Sequence, residues 1–176
     1  MRDAPPREAD DITRATVTIA WVILLNKPFY PLYVWWVAPS GVTASLSTLI
    51  ATPFFLAIAL LAPRWPLAAR LGLPLVGALD TLVATKFLGF STGTMLFLAP
   101  CIMLAGMSFH RAEVWWQRGA AALLFVAFVV SYGRLGGPMH QWMPGEAEAM
   151  LGLNAFAVAS LMAFVALRYA GIKPAG

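Results

Sequence analysis

Six apolar runs follow one another along this chain with only short breaks, and few charges interrupt them. They extend from about Arg14 to Val37, Thr43 to Ala62, Leu67 to Phe87, Thr94 to Phe109, Gln117 to Tyr132 and Ala149 to Tyr169. A bilayer core takes about 20 apolar residues per spanning helix. In hydrocarbon every backbone N–H and C=O must be satisfied inside the protein, which leaves helices or closed barrels. The runs lack the strict alternation of barrel strands, so the predicted fold class is all-α, a polytopic bundle of six transmembrane helices. With 60% hydrophobic and 11% charged residues in 176, the chain has too little charge to cover a water-soluble surface. It is expected to be one domain: an N-terminal tail over 1–13, a six-helix membrane domain over 14–170, and a short C-terminal tail over 171–176.

Basic residues set the expected orientation. Arg2, Arg7, Arg14, Arg64, Arg70, Arg111, Arg118, Arg168 and Lys173 fall on one side of this topology, and Lys86 and Arg134 on the other. Lys27 lies within the first span. Cytoplasmic loops carry the excess of Lys and Arg, so both termini are predicted to be cytoplasmic. Trp115 and Trp116 at one boundary, and Trp35, Trp36 and Trp142 at the other, fit interfacial belts. The first residues include Asp3, Glu8, Asp10 and Asp11 beside Arg2 and Arg7, which is unlike a signal peptide and reads as a retained tail. The formal charge of +4 is scattered between apolar runs, not gathered into a stripe, so the expected partner is the bilayer and not nucleic acid.

One stretch is out of place in its surroundings. Asn26-Lys27-Pro28-Phe29-Tyr30-Pro31-Leu32-Tyr33-Val34-Trp35-Trp36 puts a lysine, an asparagine and two prolines inside the first apolar run. An ionisable group at that depth costs about 3 kcal/mol or more unless it is paired or wet. Lys27 and Asp80, in the third span, are the two such residues. Pairing them across helices is the simplest account. The pair would then either fix helix register or form part of a ligand or proton site; in the third alternative, Lys27 snorkels outward and no pair forms. Asn26, Tyr30 and Tyr33 follow i, i+4, i+7 spacing along one helix face, and Asn26 and Tyr30 are expected in the bundle interior. Pro28 and Pro31 free carbonyls upstream.

Gly77, Thr81 and Thr85 form a small-residue row for close helix approach. Pro53 and Pro100 fall inside the second and fourth spans, and Pro53 is expected to bend its helix. Ser91 or Thr92 is an expected N-cap for the fourth span. The polar residues at or above mid-depth, among them Thr81, Thr85, Lys86, Ser131, Arg134 and Asn154, point to a hydrated cavity opening away from the cytoplasm. The candidate ligand-binding set is Asn26, Lys27, Tyr30, Tyr33, Asp80, Thr81 and Thr85.

Catalytic constellations are missing from the pattern. Cys101 is the single cysteine, His110 and His140 fall on opposite faces, and no zinc-protease, dithiol or phosphate-loop motif occurs. Ser108 lies near His110, but no acid within a span is placed to complete a triad. No catalytic residue, metal or cofactor is expected, and the chain is not read as an enzyme. His110-Arg111-Ala112-Glu113-Val114-Trp115-Trp116 reads as a cytoplasmic interfacial loop.

Tyr30-Pro31-Leu32-Tyr33 followed by Trp35-Trp36 resembles a stretch of the six-helix sensor region of quorum-sensing receptor histidine kinases that read hydroxyketone signals. The segment from Pro63 to Leu135, with its basic turn, Gly89-Phe90-Ser91-Thr92-Gly93, Pro100 and His110-Arg111, has a layout similar to that region and to the six-helix anchors of class III adenylate cyclases. The resemblance implies six helices, cytoplasmic termini, a multi-pass location in a bacterial inner membrane and a small-molecule site among the helices. It also implies a kinase or cyclase output, and the sequence holds no such domain after Tyr169. The expected function is therefore a sensor-type membrane module. It would bind a small, weakly polar ligand and act through a homodimer or a membrane or cytoplasmic protein partner. The alternatives are an accessory subunit of a membrane complex, or a small transporter using Asp80 and Lys27.

Overall fold

The structure, a computed structural model, describes residues 10–172. Arg2, Asp3, Arg7, Glu8 and Lys173, used above for orientation and for the two tails, lie outside the described residues. Within them the chain is helical and contains no strand. Six helical segments follow in order: α1 Asp11–Val37, α2 Pro39–Leu61, α3 Pro66–Leu88, α4 Thr94–Met107, α5 Arg111–Ser131 and α6 Glu146–Ala170. Five are long and apolar enough to cross a membrane. The sixth, α4, is the short one. At about 1.5 Å per residue it covers roughly 20 Å, less than a ~30 Å hydrocarbon core.

α1 starts earlier than its apolar run suggests, because a polar residue caps it. Asp10 caps α1: its carboxylate accepts from the Thr13 backbone N–H at 2.8 Å and the Thr13 hydroxyl at 2.9 Å. Asp10 to Thr13 thus belong to the first helix and not to a tail. Similarly, α6 begins at Glu146, with Glu146 and Glu148 in its first turn, where the helix dipole favours negative charge. The expected cap of α4 is not used. Gly93, with φ of 71°, precedes α4 and supplies no side chain, and Thr92 donates back to the Gly89 carbonyl at 2.7 Å.

Prolines shape the segments as much as apolarity does. α1 passes through a 3₁₀ turn at Lys27–Phe29 before resuming at Tyr30. Pro28 and Pro31 have no N–H to give, and the Lys27 carbonyl is taken instead by the Tyr30 N–H, one residue closer. In α2 the irregularity lies upstream of Pro53. Leu46–Ala51 is 3₁₀, and Pro53 occupies the first turn of the α-helical stretch Thr52–Leu61, where its missing donor costs little. Pro74 sits inside α3, which continues through it.

Short connections make sequential helices antiparallel, so both ends of the described chain lie at one end of the bundle, called here the near end. There the Tyr169 hydroxyl meets Thr16 of α1 at 3.2 Å and Ser108 at 2.8 Å. Around it packs the main core, including Ile12, Ile19, Phe55, Leu73, Leu104 and Val165. A second core joins α3, α4 and α5 through Ala78, Leu98, Cys101 and Leu124. Gly77 permits this approach: a Cβ there would lie 2.9 Å from the Cys101 sulfur. Among the described residues of α5, only Ala120 and Leu124 are buried, leaving the helix peripheral.

The far end is closed by the connection 132–145. Met139 and His140 donate backbone N–H bonds to the Lys86 and Phe87 carbonyls, and Lys86 reaches the Leu135 and Gly137 carbonyls at 3.0 and 3.1 Å. Trp142 is only partly exposed. Its indole N–H donates to the Leu88 carbonyl at 2.7 Å, and its ring lies over Gly41 beside a small core of Val34, Ala38 and Met150. Trp35, Trp36, Trp115 and Trp116 are exposed.

Candidate functional site

Lys27 and Asp80 meet. The Lys27 ammonium donates to Asp80 Oδ2 at 2.6 Å, with the two side chains only 7% and 19% exposed. The ammonium also donates to the Thr48 carbonyl and lies 5.2 Å from the centre of the Phe55 ring. Thr48 lies in the 3₁₀ stretch Leu46–Ala51 of α2. The lysine therefore has an acidic partner from α3, a carbonyl from α2 and an aromatic face, which together replace the hydration it gives up. Asp80 Oδ1 has no hydrogen-bond partner among the described residues.

Beside the pair lies a cavity of about 720 Å³, in the size range of small-molecule sites. Its walls come from α1, α2, α3, α4 and α6, and apolar side chains dominate: Phe55, Leu73, Phe97, Leu104, Leu153 and Phe164 among them. Asn26, Lys27, Tyr30, Tyr33, Asp80 and Thr81 all line it, so six of the seven sequence-derived candidates share one space. Thr85 does not. It is 1% exposed, donates to the Thr81 carbonyl at 2.7 Å and sits 3.9 Å from the Met95 sulfur, facing α4. Thr81 is half spent, since its hydroxyl returns to the Gly77 carbonyl at 2.8 Å.

The expectation for Asn26 needs correcting. Its side chain is exposed at the edge of the cavity, not enclosed in the bundle, and Tyr33 is 45% exposed. Tyr30 is partly buried, and its hydroxyl donates to Asn154 Oδ1 at 3.0 Å. The Asn154 amide in turn donates to the Thr92 carbonyl at 2.8 Å, and Asn154 is fully buried. The asparagine thus ties α1 and the α3–α4 turn to α6. The cavity also lies deeper than expected. Its lining stops at Tyr33 and Leu153, short of the far end, where Val34, Ala38, Met150 and Trp142 pack together. Thr85, Lys86 and Asn154, read above as signs of a hydrated mouth, are engaged in helix and turn contacts.

Sequence reasoning missed the contribution of α2 and α6. Thr48, Phe55 and Ser160 carry no pattern that marks them, although Pro53 signalled an irregular α2. It also counted Arg70 only as a basic residue that sets orientation. Arg70 is 3% exposed within α3, bonded to Glu113 at 2.6 Å and Asp10 at 3.4 Å, and His110 lies 3.4 Å from the same Asp10. The His110–Trp116 segment is therefore anchored through an ion cluster around the buried Arg70, and not only by its tryptophans. Asp10 is held below the ordinary carboxylate range. Burial, the largest single influence, pushes it up; the Thr13 bonds with the Arg70 and His110 charges together outweigh that.

Two further clusters contain hydroxyl and imidazole groups. Ser108 is fully buried and bonded to Tyr169, not to His110. At the far end the Ser40 hydroxyl donates to Glu146 and lies 3.1 Å from His140 Nε2. There the carboxylate holds the serine and not the imidazole, so the order of a serine-hydrolase relay is missing. This cluster ties the start of α2 to the start of α6. Among the described residues no group of three or more His, Cys, Asp or Glu is placed to hold a metal ion. What the central site can do chemically is hold a molecule, with apolar walls for its body and one ion pair with an open carboxylate oxygen to orient it.

No protein-family model matches the chain, and no curated protein or solved structure is detectably similar to it.

Proposed function

We propose that this chain is a multi-pass protein of a bacterial inner membrane, with both termini cytoplasmic, that binds a small, weakly polar ligand in its central cavity. The ligand is read out as a shift of α1 against α3 and α6, passed to a dimer mate or a separate protein partner. The observation that carries this reading is the cavity of about 720 Å³ placed directly against the Lys27–Asp80 pair, with one carboxylate oxygen unpartnered among the described residues. A pair that served only to fix helix register would have no need of open space beside it. The basic residues of the near end, among them Arg64, Arg111, Arg118 and Arg168, support the cytoplasmic assignment. The resemblance of the Tyr30–Trp36 stretch to sensor regions of quorum-sensing kinases supports the sensor role over a carrier.

The test is thermal stability of the purified protein in detergent, screened against short ketones and other lipophilic small molecules. A ligand present at 100 times its Kd adds about 2.7 kcal/mol and raises the midpoint. Tyr30→Phe combined with Asp80→Asn is expected to abolish that rise. A screen in which no compound stabilises the protein, with a cellular phenotype unaltered by the double variant, would rule the reading out.

A further inference from the structure

We propose that the cavity is reached from the side, through the seam between α1 and α6, by an amphiphile dissolved in the bilayer: an apolar chain bearing one uncharged hydrogen-bonding group. This rests on the ligand-binding reading above and adds the route and the chemical class. The two helices are pinned together at two heights. Near the chain ends the Thr16 hydroxyl meets Tyr169 at 3.2 Å, and toward the far end the Tyr30 hydroxyl meets Asn154 at 3.0 Å. Between the pins, the cavity is walled by Val22 and Asn26 on α1 and by Ser160 on α6. These residues are also exposed on the flank of the bundle, as is the neighbouring wall residue Phe156, at 74%. Both ends of the bundle are packed instead: Val34, Ala38, Met150 and Trp142 at one, Ile12, Ile19, Val165 and Tyr169 at the other.

The chemistry of the seam fits such an occupant. Asn26, Tyr33 and Ser160 line the cavity, and none of their side chains has a hydrogen-bond partner among the described residues. Polar groups facing hydrocarbon without partners are unfavourable, and a ligand hydroxyl or carbonyl supplies what they lack. The ligand group is uncharged because Lys27 and Asp80 already neutralise each other, and a third charge at that depth would stand alone. A phospholipid does not qualify, since its charged headgroup stays at the interface. The apolar walls and the side opening leave the tail in contact with protein and lipid together.

The experiment uses the whole chain in phosphatidylcholine vesicles with dodecan-1-ol carrying a diazirine in its chain, followed by peptide mapping of the adducts. The expected result is labelling of residues 22–26 and 156–164 several-fold above that of the equally exposed residues 123–130 of α5. Labelling of the cavity wall around Thr48, Leu73 and Cys101 is expected with it. Val22→Trp with Ser160→Phe fills the seam and should lower both signals several-fold, while Val126→Trp on α5 should leave them unchanged. Seam labelling no stronger than α5 overturns the proposal. Wall labelling that persists in the filled variant overturns the side route and leaves the ligand-binding reading standing. No wall labelling in the unaltered protein removes both. Protection by erythritol equal to that by unlabelled dodecanol overturns the amphiphile class. If the filled variant fails to form a monodisperse helical bundle, Asn26→Leu with Ser160→Ala takes its place. It removes the polar edge without added bulk, and undiminished labelling there counts against the proposal.

Discussion

Lys27→Met is the perturbation that most directly tests how this bundle is held together. It removes the cation 2.6 Å from Asp80 and leaves a carboxylate whose other oxygen also has no partner among the described residues. Two unit charges at about 4 Å interact by about 4 kcal/mol at an effective dielectric of 20. Breaking a buried pair from one side costs about 3–5 kcal/mol, because the remaining charge is stranded. Asp80 keeps 19% side-chain exposure toward the cavity, and water admitted there moves the expected loss to the lower end, about 3 kcal/mol. Lys27→Met with Asp80→Leu removes both charges. What remains lost is the bond to the Thr48 carbonyl and the contact with Phe55, about 1 kcal/mol in total. The assay is reversible unfolding in mixed detergent micelles, followed by helical circular dichroism. The double variant should recover about 2 kcal/mol relative to the single one. Equal destabilisation by the two variants would refute the reasoning, and so would a harmless Lys27→Met.

Asn154→Leu should cost about 1–3 kcal/mol in the same assay, because it leaves the Tyr30 hydroxyl and the Thr92 carbonyl unpaired; a loss no larger than that of Tyr30→Phe would mean the Thr92 bond contributes nothing. Gly41→Ala places a Cβ 2.3 Å from the Trp142 ring, so the indole must move and lose its bond to Leu88; a cost of about 1–3 kcal/mol is expected, with increased quenching of tryptophan emission by acrylamide. The carboxyl of Asp10 is lowered in the folded protein, so its contribution is complete above its unfolded value and is lost as the pH falls through the lower folded one. Thermal melting of Asp10→Asn should therefore differ from the unaltered protein near neutral pH and converge with it in acid. A constant gap across that titration would show that the Asp10 charge contributes nothing.

Apolarity and length were enough to dictate helices. Backbone groups surrounded by hydrocarbon have no other local solution, and that constraint is written residue by residue in the chain. The same applies to Lys27 and Asp80. Each is conspicuous because a charge in an apolar run needs a partner, and there were few candidates to choose from. Tertiary structure decided the rest, since it depends on which faces meet. Asn154 looked like one more polar residue of α6 until its neighbours Tyr30 and the Thr92 carbonyl came into place. Arg70 looked like one more basic residue setting orientation, yet Asp10 and Glu113 converge on it from two other segments. Thr48 reaches Lys27 through a backbone carbonyl, which any residue possesses, so no side-chain pattern could announce it. The position of the cavity was hidden for the same reason. A void belongs to no residue, and only the packing of α1, α2, α3, α4 and α6 together puts one beside the Asn26–Trp36 stretch.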